Sequence, residues 1–116
     1  MTPETRSPLP KSLMMRLYEV AVPENVDEAR VLMRSAMSRV ESALAVNAYD
    51  EIHEAGYELE AAASRISEDG DKKSEVLFHT IEILHLASEI GDHAILQATF
   101  PRLKEAVDWA LSKPGS

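Results

Sequence analysis

NVDEARVLMRSAMSRVESALAVN, residues 25–47, reads as one whole helix with its own start and stop. Asn25 followed three residues later by Glu28 matches a capping box, the asparagine side chain covering orphan amides while the glutamate reaches back. Ala29, Leu32, Met33, Ala36, Val40, Ala43 and Leu44 then recur at three- and four-residue steps, the spacing of one buried helix face. Asn47 tolerates left-handed geometry and sits where this stripe stops and another begins. So short a turn predicts a following helix that runs back antiparallel.

Working outward, the next segment places Ile52, Ala55, Gly56, Leu59, Ala62, Ala63 and Ile66 inward, and its small residues predict close approach to a neighbour. Ser67 to Asp71 is a loop, with Gly70 for the turn and acids that favour a helix start after it. From Lys73 to about Ile90 the chain is apolar on two stripes, Leu77, Ile81, Leu84 and Ser88 on one and Ile83, Leu86 and Ile90 on the other. Such breadth needs two coverings, from the same chain or a second subunit. Gly91 caps that helix and Asp92 opens the last one, which turns Leu96, Phe100, Leu103, Val107, Ala110 and Leu111 inward. Pro101 removes a donor inside it and predicts a bend near Thr99 to Pro101.

The expected fold is all-α, an up-down four-helix bundle with an N-terminal extension and a proline-kinked last helix. Residues 1–11, with Pro3, Pro8 and Pro10, read as a flexible tail, 12–112 as a single domain and 113–116 as a C-terminal tail. Within the extension, the sequence is read either as a short segment capped by Ser12 through Leu13, Met14, Leu17 and Val20 or as Tyr18 to Val22 extended against the bundle.

A chain of 116 residues can bury a core without a disulfide or structural metal. Its 12 basic and 20 acidic residues give a formal charge of −8, which argues against nucleic acid and anionic membrane surfaces as partners. The absence of cysteine excludes thiolate nucleophiles, zinc knuckles and iron–sulfur sites. No stretch approaches the roughly 20 apolar residues of a membrane span. With no export signal in the first residues, the expected location is cytoplasmic as written, or periplasmic had a leader been removed.

Two phrases carry the chemistry that the sequence offers. Asp50-Glu51-Ile52-His53 and Glu82-Ile83-Leu84-His85 each set a carboxylate three residues before a histidine, on one helix face. Folding the two helices back on each other about Asp69 brings His53 level with His85, and the turn at Asn47 brings Glu41 to the same depth. Asp50, His53, Glu82 and His85, with Glu41 beside them, then form a donor set suited to a divalent transition metal, zinc, iron, copper or manganese. The same spacing also serves ordinary hydrogen-bonded and salt-bridged pairs, and the last helix offers no second inward glutamate of the di-iron kind. A third reading asks for no site at all: an interaction module that self-associates or binds a partner protein through its broad apolar helix.

The remaining candidates read more simply. His79 shares a stripe with Ile83 and Leu86, which points to a partly buried side chain or an interface contact, and His93 follows the capping Asp92 as a solvated first-turn residue. Met14, Met15, Met33 and Met37 read as packing rather than thioether ligands. Trp109 and Tyr57 stand at the margins of their stripes and cover the core edge or a subunit contact.

Ile52-His53-Glu54-Ala55-Gly56-Tyr57-Glu58-Leu59-Glu60 and Glu82-Ile83-Leu84-His85-Leu86-Ala87-Ser88-Glu89 together resemble a family of short bacterial helical proteins of uncharacterised function. That family carries an Ile-His-Glu-x-x-Tyr-x-Leu-Glu phrase followed by Glu-x-x-His-Leu-Ala-Ser-Glu, and the likeness spans about Val26 to Leu111. It implies a small helical fold in which His53, Tyr57, Glu60, Glu82, His85 and Glu89 belong together; its members are usually exported. The stretch from Asp50 to Ala63 also resembles histidine phosphotransfer domains, which implies His53 as the phosphate acceptor. It departs from them at Gly56, where they carry lysine, and at Tyr57, where they carry glycine.

Overall fold

The computed structural model describes residues 22–67 and 71–112. The expectations for the two tails and for the extension ahead of residue 22 lie outside the described residues, as does most of the loop around Gly70. Four helices follow one another: α1 Val26–Ala45, α2 Tyr49–Ile66, α3 Lys72–Ile90 and α4 His93–Ser112. Among the described residues there is no strand. The chain is an all-α four-helix bundle, with α1 on α2, α2 on α3 and α3 on α4 as the main contacts and a smaller one between α1 and α4.

The boundaries follow from side chains read locally. Asn25 Oδ1 accepts from the Glu28 amide at 2.8 Å, and Glu28 reaches back one residue further than the usual box, to the amide of Glu24 at 3.3 Å. Asn47 adopts φ 57 in the three-residue turn to α2. Asp71 caps α3 by accepting from the Lys73 amide, and Gly91 at φ 69 closes it. The amides of Gly91 and Asp92 reach back to the carbonyls of Ser88 and Ala87. Asp92 then accepts from the Ile95 amide at 3.1 Å and starts α4. α4 continues as one helix through the exposed Pro101.

The expected inner faces are the observed ones. Met33, Val40, Ile52, Leu59, Leu77, Leu84, Leu96 and Leu103 are sealed in the core, and alanines at 29, 36, 55, 62 and 63 let α1 and α2 approach closely. Leu32 on α1 and Phe100 and Leu111 on α4 pack at the rim rather than at the centre, and on α4 Thr99 and Ala106 are buried instead. Outside this α1–α2 seam, Arg39 bridges Glu51, Glu54 and Glu58 at 3.0, 3.4 and 2.7 Å, three carboxylates at helical spacing on α2. α3 has the buried stripe expected of it, and its second stripe stays open: Leu86 is 57% and Ile90 71% exposed.

Candidate functional site

α2 and α3 meet in a cluster of rings. His53 and His85 lie edge to face with centroids 5.1 Å apart, and Tyr57 stands 4.4 Å from His85 and 5.1 Å from His53. The antiparallel hairpin therefore brings the two histidines together at the depth that the registry of the sequence requires. His85 sits on the bare backbone of Gly56: a Cβ there would lie 2.7 Å from His85 Cε1 and 3.0 Å from Nδ1. A glycine inside a helix normally costs stability, so here its missing side chain is the seat for a ring.

The proton on His53 can be placed from its neighbours. The Ser88 hydroxyl donates to the carbonyl of His85 at 2.9 Å, which leaves its oxygen to accept from His53 Nδ1 at 3.2 Å. The neutral ring thus carries its hydrogen on Nδ1 and its lone pair on Nε2. Burial lowers the His53 pKa from the ordinary 6.5, and the neighbouring His85 lowers it further, against the pull of Glu89, the His85 carbonyl and Asp50.

Both nitrogens of His85 are shut off from solvent without a hydrogen-bond partner. Its Nε2 stands 3.7 Å from Glu60 Oε1, an ionic approach rather than a hydrogen bond. The imidazole still holds the Glu60 carboxyl below its ordinary 4.5, over the opposing effect of burial.

These shifts fix the sign of a pH dependence. A histidine whose pKa falls on folding takes up its proton first in the unfolded chain, so stability declines as pH drops below about 6.5. Glu60 contributes above its unfolded pKa and loses that contribution as pH falls through its lower folded value, so both act in the same direction. Urea unfolding at steps between pH 7.5 and pH 5 is expected to show a falling midpoint, and His53→Gln to flatten the upper part of that slope. An unchanged slope in the variant would remove His53 as its source.

The remaining expected residues are placed differently. Glu82 points away from the cluster and lies 3.8 Å from Nδ1 of His79, itself 73% exposed and not partly buried as its stripe suggested. Asp50 and Glu41 are exposed, Asp50 near enough to His53 to act on its charge. Glu89 acts on His53 in the same way, so of the residues that the resemblance groups together only Glu82 stands apart. Among the described residues no three His, Cys, Asp or Glu side chains gather in a way that could hold a metal ion. The metal reading is left with its two imidazoles and no described third donor. His93 is exposed in the first turn of α4, paired with Gln97.

Sequence reading missed two parts of the cluster. Ser88 was legible only as a stripe residue and Gly56 was read as merely small, while Tyr57, which the resemblance groups with the histidines, is buried rather than marginal. The available signal was a glycine inside a helix one turn after His53, level with a ring on the opposing helix.

No described helix is long and apolar enough to cross a membrane. Comparison with functionally described proteins and with solved structures gives no match. One family model does match, over residues 14–105, and it describes a family of unknown function, DUF6746. That span takes in all of α1, α2 and α3 and the first two thirds of α4, with both histidine phrases and the seat at Gly56, and the chain belongs to this family of unknown function.

Proposed function

We propose that the protein is a non-catalytic binding module that holds a protein partner on the outer face of α3 and α4. The carrying observation is the apolar surface that this face leaves open: Val76 and Leu86 are each 57% exposed, Ile90 71% and Ile95 42%. Scattered exposed aliphatics are ordinary, but these fall on two adjoining helices, and Val76 borders a groove of about 1110 Å3 between those helices that Ile83, Ala106 and Trp109 also line. The ring cluster serves this reading as an interlock that fixes α3 against α2 and so sets the attitude of the face. A phosphotransfer role for His53 has weaker support, because its ring is half-buried and tied to Ser88.

Photo-crosslinking in producing cells tests the reading. A benzophenone amino acid at Leu86 is expected to give a discrete adduct, identified by mass spectrometry and lost when Ile83→Glu is added. The same probe at the exposed Ser35 on α1 should give none. Equal adducts from both positions, or none from Leu86, overturn the proposal.

A further inference from the structure

The open face has a periodicity and a charge edge that specify what fits it. On α3, Val76, His79, Ile83, Leu86 and Ile90 recur at alternating three- and four-residue steps, the seam of a helix that packs along another helix. On α4, Ile95, Thr99, Arg102, Ala106 and Trp109 recur in the same rhythm, and the groove lies between the lower parts of these two rows, with the buried Thr99 and Ala106 at its floor. From Val76 to Ile90 the α3 seam is about 21 Å long, the length of a helix of some fifteen residues. Along its outer edge run Glu75, Glu82 and Glu89, seven residues apart and all exposed.

We infer, building on the binding role proposed above, that this face receives an amphipathic helix of a partner protein, apolar along one seam and basic along the flank that meets Glu75, Glu82 and Glu89. An apolar groove with a row of like charges along one edge selects such a helix by burial and by charge together. The row also argues against a second copy of this chain. Antiparallel two-fold pairing of α3 with itself sets the glutamates of one copy against those of the other, like charge on like. Lys72, Lys73 and Arg102 line the groove together with Glu105, so the complement is a helix basic along the one flank that meets the glutamate row rather than uniformly cationic.

Peptide binding to the full chain tests the inference. The probe is a fluorescein-labelled fifteen-residue peptide of leucine and lysine with leucines at heptad spacing. It is compared with a scrambled peptide of the same composition and with a leucine–glutamate analogue, all by anisotropy. The patterned basic peptide is expected to bind, and at least about tenfold more tightly than either control. Leu86→Gln, an exposed position, and the triple change Glu75→Lys, Glu82→Lys, Glu89→Lys should each weaken it by a similar factor, with circular dichroism showing the fold retained. Equal binding of the scrambled peptide, or indifference to Leu86→Gln, overturns the inference. A mass that doubles with concentration and reverts with Leu86→Gln also overturns it, in favour of a second copy. The crosslinking experiment separates the two levels: an adduct from Leu86 to a segment that is not basic leaves the binding role standing and removes this partner, whereas no adduct removes both.

Discussion

Leu84→Ala is expected to lower the unfolding free energy by about 3 kcal/mol, within the range for truncating a buried leucine. Leu84 is 1% exposed at the centre of α3, the helix that packs on both α2 and α4. Its loss removes the transfer energy of three carbons and leaves a cavity, and the size of the second part depends on whether neighbours can move in. Here they are poorly equipped to do so. Much of the core is alanine, at 55, 62, 63, 87, 106 and 110, with no rotamer to swing into a void. Leu86→Ala on the same helix removes the same atoms from a site 57% exposed and should cost no more than about 0.5 kcal/mol. Urea unfolding followed by circular dichroism measures both. Similar costs at the two positions would mean that α3 does not present Leu84 inward and Leu86 outward.

That contrast marks what the sequence makes legible. Elements that depend on neighbours along the chain were readable: the Asn25 cap, the left-handed Asn47, the Asp92 cap and the glycine stop at 91 each need only a few adjacent residues. The meeting of His53 with His85 was readable too, because a short connection between two helices fixes their relative depth. Depth is not azimuth, however. Glu82 sits three residues before His85, about 60° round the helix, enough to carry it from the α2 interface to the outer edge beside His79. The carboxylate that does approach His85 is Glu60, on the opposing helix, and only the resemblance between families grouped it with the histidines. Pro101 lies inside α4, where the sequence placed it, since packing of Leu96, Leu103 and Val107 outweighs one absent donor.

Gly56→Leu is expected to cost about 3 kcal/mol, and the reason is testable apart from the size. Alanine at this position gains about 1 kcal/mol of helix propensity over glycine, yet its Cβ lands 2.7 Å from His85 Cε1. The ring can give way only by pressing on His53 and Tyr57, which already pack against it at 5.1 and 4.4 Å between centroids. In the wild-type background, therefore, Gly56→Ala should bring no gain or a small loss, while Gly56→Leu demands space that neither ring can yield. With His85→Ala in place the seat is vacant, and the sign should reverse: Gly56→Ala now stabilises by about 1 kcal/mol, and the penalty of Gly56→Leu shrinks. A double-mutant cycle by urea unfolding reads this coupling directly. Additive changes would mean that His85 moves aside without resistance and that the glycine is not its seat. A coupling above about 1 kcal/mol would establish that one absent side chain on α2 and one imidazole on α3 hold the two helices at a fixed distance. The attitude of the open α3 face then depends on Gly56, a residue that the face itself does not contain.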